Sequence, residues 1–279
     1  MVAASAALLV LITVAAVVMA DRFGGQLSLP RALGCVVRAD GEVTLDPEQM
    51  ANAATISAVG IRRGMPAQAV VVALATAYQE SGLRNLAGGD RDSVGLFQQR
   101  PSQGWGTPEQ IRDPRYAANR FYAALVKVRG WERMRVTDAA QRVQRSAFPE
   151  AYQKWADEAG VLSRALVGEA TGAVSCTVPR DPVLRGAAAA TELSSRLSRD
   201  WGSVRTAELA ELLGLSLVAT DQQAGWQYAH WLVAHADSNG VKRVRFAGLQ
   251  WTAKAGTWSE VADETLAADR VIAEVFGDA

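Results

Sequence analysis

The chain lacks the features by which many functional classes are recognised. Its 29 basic and 29 acidic residues cancel, so no overall field would attract nucleic acid or an anionic surface. It has only two cysteines and two histidines, and no CxxC pair. Internal repeats and low-complexity tracts are also missing, which argues against a solenoid. We therefore expect no nucleic-acid partner, no metal site and no cofactor.

Charge is also missing from residues 2–20, which form a continuous run rich in Ala, Val and Leu. At about 1.5 Å per residue, a helix of this length just crosses a bilayer core of about 30 Å. The small residues around Ala20 equally suit a signal peptidase. We expect residues 1–20 to be a single-pass membrane anchor or a cleaved signal peptide. The bulk of the chain would then be extracellular, or secreted if the N-terminus is cleaved.

The two cysteines, Cys35 and Cys176, bracket the middle of the chain. In an exported protein they are candidates for a disulfide, because oxidising compartments let such bonds persist. The alternative is two separate buried thiols.

Composition divides the rest of the chain into four segments. Residues 21–44 are predicted to be a stalk and residues 161–185 a linker, because both are rich in small residues and turn formers. Residues 45–160 are predicted to be almost entirely helical, with a nearly apolar central helix that follows Pro66 and ends at Gly82. Residues 186–279 are predicted to be a small α+β accessory domain that closes with an amphipathic helix over 260–276.

The most informative stretch is residues 77–101, AYQESGLRNLAGGDRDSVGLFQQRP. It places Glu80 at the end of the apolar helix, before a Gly- and Asp-rich loop and an amide-rich segment. Cleavage of a glycosidic bond needs an acid that protonates the leaving oxygen, and a carboxyl group beside apolar residues suits that task. The alternative is an ordinary solvated carboxylate at a helix end.

This stretch resembles the catalytic signature of the lytic transglycosylases of the lysozyme-like superfamily. The matching residues are Glu80-Ser81, Ser93, Gly95-Leu96, Gln98 and Pro101. The following sequence, GLFQQRPSQGWGT, is similar to an actinobacterial and phage-associated branch, and the resemblance covers residues 45–159. The Tyr-Asn-Ala-Gly motif of the family is absent, and Tyr152 is the candidate to replace it.

The resemblance implies a mainly α lysozyme-like domain that cleaves the β-1,4 bond between N-acetylmuramic acid and N-acetylglucosamine in peptidoglycan. Glu80 would act first as acid and then as base, which gives a 1,6-anhydro product. It also implies a set of substrate-binding residues along the glycan groove, for which we take Ser93, Gly95, Gln98, Gln99, Trp105 and Tyr152.

Three alternatives stay open. A water-based hydrolase would need a second carboxylate, for which Asp90 and Asp92 are candidates, although they also suit a solvated loop. Trp105 and Trp131 are either sugar-stacking or core residues. The whole protein is either an enzyme acting on peptidoglycan glycan strands or a non-catalytic wall-binding or scaffold protein. In both cases the C-terminal domain is a possible contact for a cell-wall protein.

Overall fold

A computed structural model of the chain describes residues 33–179, 181–207, 213–261 and 267–278. They form a mixed α+β fold in one compact unit with a continuous hydrophobic core. The predicted membrane segment, residues 1–20, lies outside the described residues. Within the ranges described, no helix is both long enough and apolar enough to span a membrane.

The helices occupy most of the first half of the chain and two parts of the second. They are α1 (Pro47–Arg62), α2 (Ala67–Ser81), α3 (Pro108–Ile111), α4 (Pro114–Leu125), α5 (Val136–Gln144), α6 (Ala156–Leu166), α7 (Gly186–Trp201), α8 (Gln222–Ala234) and α9 (Ala236–Asn239). Short 3₁₀ turns occur at Pro101–Gln103, Trp131–Arg133 and Gln153–Trp155.

The strands form two antiparallel sheets. The smaller sheet has the order β2-β1-β3 and consists of β1 (Gly34–Arg38), β2 (Glu42–Leu45) and β3 (Val174–Thr177). The larger sheet has the order β4-β5-β9-β6-β7-β8. Its strands are β4 (Thr206–Ala207), β5 (Gly214–Val218), β6 (Val241–Phe246), β7 (Leu249–Thr252), β8 (Trp258–Glu260) and β9 (Arg270–Val275).

Helix α1 begins, and helix α2 ends, where capping signals stand in the sequence. A capping box starts α1, because the Asp46 side chain accepts from the Gln49 N–H and the Gln49 side chain accepts from the Asp46 N–H. Pro47 occupies the first position of that helix, where its missing N–H costs nothing. Gly82 ends α2 in the left-handed conformation, with φ of 62°. Helix α2 packs against α1, α4, α5 and α6 and is therefore central to the helical half.

Strands occupy parts of the predicted stalk and linker, where the sequence prediction was wrong. Cys35, Val37, Val43 and Leu45 alternate with exposed or partly exposed residues and are buried, so residues 34–45 form a hairpin on the core. Helix α6 runs on to Leu166, and β3 follows. The short strands were missed because each contributes only two apolar positions.

The predicted disulfide is confirmed. Cys35 and Cys176 are bonded across 141 residues of sequence and lie directly opposite each other in the β1–β3 register. The bond therefore joins the predicted stalk to the predicted linker within the smaller sheet.

The closing amphipathic helix predicted for 260–276 was also wrong, because β8 extends to Glu260 and β9 covers Arg270–Val275. Strand β9 lies in the middle of the larger sheet, between β5 and β6. Its two neighbours satisfy its backbone on both sides, and this tertiary pairing outweighs the local pattern.

The elements after the predicted linker pack directly on the helical half. Helix α1 contacts both α7 and α8, and α6 contacts α8. A buried polar group joins them, because Asp200 of α7 accepts hydrogen bonds from Arg115 Nε at 2.5 Å, Trp231 Nε1 at 2.8 Å and Thr55 Oγ1 at 3.0 Å. These contacts fix the C-terminal elements against α1 and α4, behind the helix that carries Glu80.

Candidate functional site

Glu80 lies in the last turn of α2 and is half-buried. The next residue ties this helix end to the amide-rich segment, since Ser81 Oγ donates to the Leu96 carbonyl oxygen at 2.8 Å. Gly82 then turns the chain away from the helix. The carboxyl group is therefore held at a fixed place on the protein surface.

Two side chains donate hydrogen bonds to the same oxygen of Glu80. The Tyr152 hydroxyl reaches Oε1 at 2.6 Å, and Gln144 Nε2 reaches Oε1 at 3.1 Å. Within the part of the chain that the structure describes, no hydrogen bond reaches Oε2 of Glu80. A proton carried by this carboxyl group therefore sits on Oε2, because the lone pairs of Oε1 face two donors.

Gln144 is the last residue of α5 and was not singled out from the sequence. Its Nε2 also donates to the Phe97 carbonyl oxygen at 2.8 Å, and two oxygen acceptors fix which end of the amide is the nitrogen. The side chain lies at the boundary between the buried face of α5 and solvent. A polar residue in the last turn of a helix, at the edge of its buried face, is the sequence signal by which Gln144 could have been found as a partner of Glu80.

Tyr152, predicted as a substrate-binding residue, is fully buried, so its hydroxyl contacts Glu80 rather than open solvent. Burial raises the pKa of the Tyr152 phenol, and the charge and hydrogen bond of Glu80 raise it further. The phenol therefore stays protonated and acts as a donor throughout the neutral range.

The predicted sugar-binding amides make hydrogen bonds within the protein. Ser93 Oγ donates to Gln98 Oε1 at 2.9 Å, and Gln98 Nε2 donates to the Gly95 carbonyl oxygen at 3.1 Å. Gln99 is buried, and its Nε2 donates to the Ala117 carbonyl oxygen of α4 at 3.1 Å. These bonds shape the segment beside Glu80, and Gln98 is the only one of the two glutamines that is partly exposed.

Gly95, predicted to let glycan approach the backbone, is buried with φ of 77°. A Cβ at this position would lie 2.7 Å from the Ile111 carbonyl oxygen. The missing side chain is therefore needed for packing against α3 and for the left-handed backbone.

The two candidate second carboxylates, Asp92 and Asp90, differ in their contacts. Asp92 accepts from Arg100 Nε at 2.8 Å and from the backbone N–H and hydroxyl of Ser102 at 2.7 and 3.0 Å. These bonds hold the pKa of Asp92 well below its usual range, chiefly through Arg100. Asp90 is highly exposed, and its contact is the neighbouring Arg91 at 3.9 Å. Asp92 therefore stabilises the loop through its hydrogen bonds, and Asp90 is a solvent-exposed residue of the same loop.

The two predicted tryptophans differ in how far they are buried. Trp131 is buried in the core, and Trp105 is half-buried with its carbonyl oxygen bonded to the Tyr116 hydroxyl at 3.1 Å. Trp155 was not predicted, and it contacts the two residues of α2 that precede Glu80. Its Nε1 donates to Gln79 Oε1 at 3.0 Å, and its ring stacks on Tyr78 with centroids 4.8 Å apart.

No group of three metal-ligating side chains occurs in the described ranges. The two histidines are buried and hydrogen-bonded to backbone carbonyl oxygens. Comparison of the chain with protein-family models found no match, and a search of curated protein sequences also found none.

Proposed function

We propose that the protein is a lytic transglycosylase that cleaves the β-1,4 bond between N-acetylmuramic acid and N-acetylglucosamine in peptidoglycan. The observation that carries this proposal is the arrangement at Glu80, where Tyr152 and Gln144 both donate to Oε1 and leave Oε2 for the substrate. The contact from Gln144 adds to the sequence resemblance, which includes Glu80 and names Tyr152 as the candidate for the missing motif but does not include Gln144.

The chemistry needs only one carboxyl group. The Oε2–H of Glu80 protonates the glycosidic oxygen, and the bond from that oxygen to C1 of the muramic residue breaks. The C6 hydroxyl of the same residue then forms a bond to C1, and its proton passes to the Glu80 carboxylate. The products are a 1,6-anhydro end and a free 4-hydroxyl, and Glu80 regains its proton without consuming water.

The contacts of Asp92 favour this route over hydrolysis. An inverting hydrolase needs a second carboxylate free to activate water across the cleft. Asp92 is engaged by Arg100 and Ser102, and Asp90 extends into solvent. Glu80 is thus the acid whose contacts suit catalysis.

The proposal includes a cell-wall location. A disulfide supports an oxidising compartment, which agrees with the predicted anchor or signal segment. Residues 45–160 would supply a lysozyme-like groove, while the C-terminal elements would brace it or contact a wall protein. Peptidoglycan strands would be the substrate and, for an anchored chain, the membrane the site of attachment.

The test is incubation of the full chain with purified sacculi, with released muropeptides identified by mass spectrometry. Wild type should release anhydro-muropeptides, and Glu80→Gln should release none while still binding sacculi. Glu132→Gln is the matched control, because Glu132 is an exposed acid outside this site. If wild type binds sacculi but releases nothing, the protein is instead a non-catalytic wall-binding protein.

A further inference from the structure

The loop that joins Gln144 to Tyr152 carries an aromatic side chain in solvent. Phe148 is 73% exposed, and it lies four residues from each of the two side chains that bond to Glu80. Both ends of the loop are therefore fixed at the candidate site. Four residues of chain keep the backbone of Phe148 within about 14 Å of the backbone of Gln144 and of Tyr152.

Hydrogen bonds hold this loop in place. The Ser146 carbonyl oxygen accepts from Gln141 Nε2 at 2.7 Å, and the Phe148 N–H donates to Ser146 Oγ at 3.1 Å. On the other side, the Pro149 carbonyl oxygen accepts from Thr137 Oγ1 at 2.5 Å, and the Phe148 carbonyl oxygen accepts from the Ala151 N–H at 3.1 Å.

An ion pair adds to this support, since Arg135 binds Glu150 at 3.1 Å and also binds Asp138 of its own helix. The backbone on both sides of Phe148 is thus bonded to α5, while the ring itself remains exposed. A preorganised loop lowers the entropic cost of binding, because its backbone is already ordered before a ligand arrives.

We propose that Phe148 forms a stacking subsite for a pyranose ring next to the bond that Glu80 cleaves, an inference that rests on the proposed function. The C–H face of a sugar ring matches one flat aromatic ring in size and polarity. A protein partner fits less well, because the residues around Phe148, Arg145 to Glu150, include no other large apolar side chain. A single ring is far below the about 800 Å² per partner that a stable protein interface buries.

Binding is measured apart from cleavage, in the Glu80→Gln background, with soluble chitohexaose and with sacculi as probes. Phe148→Ala should weaken binding to both by about three- to tenfold, the effect of one lost aromatic contact. Phe148→Trp should bind at least as tightly as the parent. Val183→Ala is the matched control, since Val183 is 100% exposed in the segment before α7, and it should leave binding unchanged.

The same substitutions in the active protein should raise the half-saturating amount of sacculi, with kcat reduced less. The inference is overturned if Phe148→Ala binds as tightly as the parent, or if the parent binds neither probe. It is also overturned if Phe148→Ala lowers affinity only by converting a dimer to a monomer in sedimentation, which would make Phe148 a self-association contact. If sacculi are bound through Phe148 but never cleaved, the stacking subsite stands and the proposed function fails.

Discussion

The Tyr152 hydroxyl donates a 2.6 Å hydrogen bond to Oε1 of Glu80 across 72 residues of sequence. Gln144 donates to the same oxygen at 3.1 Å, so both donors define one side of the carboxyl group. The two hydrogen bonds orient the carboxyl group of Glu80. They occupy Oε1 and leave Oε2 available to a substrate. This arrangement also assigns a role to Tyr152 that differs from the predicted contact with substrate.

Removal of the Tyr152 hydroxyl should slow cleavage. Tyr152→Phe keeps the buried ring but deletes one of the two donors to Glu80, and hydrogen bonds to charged groups contribute about 1.5–3 kcal/mol. We expect kcat for sacculus cleavage to fall by about ten- to a hundredfold with little change in binding, because the phenol lies beneath the carboxyl group.

Tyr116→Phe is the control for removing a tyrosine hydroxyl that does not contact Glu80, since the Tyr116 hydroxyl donates to the backbone oxygen of Trp105. It should keep most of the activity. Equal losses from both substitutions would show that the effect is general destabilisation, and an unchanged kcat for Tyr152→Phe would remove Tyr152 from the mechanism.

The sequence predicts the helical framework well where local signals are strong. Asp46 and Pro47 mark the start of α1 and Gly82 marks the end of α2, so these two helix ends follow from local capping chemistry. Strand β9 could not be found this way, because its backbone is satisfied by β5 and β6, which are distant in sequence. The hairpin at 34–45 was missed for a related reason, since four- and five-residue strands leave little periodicity to detect.

For the site, the sequence indicates the acid but not its partners. The apolar run before Glu80 and the motif after it single out this carboxyl group. The position of Gln144 depends on how α5 packs against α2, and no spacing rule gives it. The amides of Gln98 and Gln99 were predicted to face sugar, yet Gln98 bonds back to Gly95 in its loop and Gln99 bonds to Ala117 of α4.

Loss of the disulfide should destabilise the fold. Cys35 and Cys176 close a loop of 141 residues, and the chain-entropy model gives about 5 kcal/mol for a loop of that length, with measured losses of about 2–5 kcal/mol. A Cys35→Ser, Cys176→Ser double variant should therefore unfold at lower denaturant concentration. The same midpoint for the variant and the oxidised wild type would contradict this prediction.

Acid should weaken the fold through its buried histidines. The His230 Nδ1–H donates to the Ala165 carbonyl oxygen at 2.7 Å, and Nε2 accepts from the Ala173 N–H at 2.9 Å, which makes the ring neutral. Burial lowers the pKa of His230 from 6.5 to about 4, and burial also lowers the pKa of His235 to about 4. Between these pH values the unfolded chain binds more protons than the folded chain.

The contribution of the two neutral histidines to the free energy of unfolding is therefore fully present above pH 6.5, and it should be lost as the pH drops toward 4. The expected slope is about 1.4 kcal/mol per pH unit for each histidine. Denaturant titrations at several pH values measure this slope, and His230→Gln should remove the part of the slope that comes from His230. A slope that is the same in wild type and in His230→Gln would show that His230 does not titrate as the structure indicates.

The contact between the helical half and the C-terminal elements depends on Asp200. This carboxylate is fully buried and pairs with Arg115, so Asp200→Asn leaves a largely buried guanidinium with only the half-exposed Asp113, at 3.5 Å, as a counter-charge. The free energy of unfolding should fall by about 3–5 kcal/mol. Asp269→Asn removes half of an exposed pair with Arg270 and should cost less than about 1 kcal/mol. Similar losses from the two substitutions in denaturant titrations would contradict the role given to Asp200.

The most direct test of Glu80 as the acid and base of a lyase is the mass of the muropeptides that the full chain releases from sacculi in ¹⁸O-labelled water. The account predicts 1,6-anhydro products that are lighter than reducing-end products by one water and carry no ¹⁸O from the solvent. Glu80→Gln should release none of them. Reducing-end products that carry ¹⁸O, or equal release by wild type and Glu80→Gln, would contradict it.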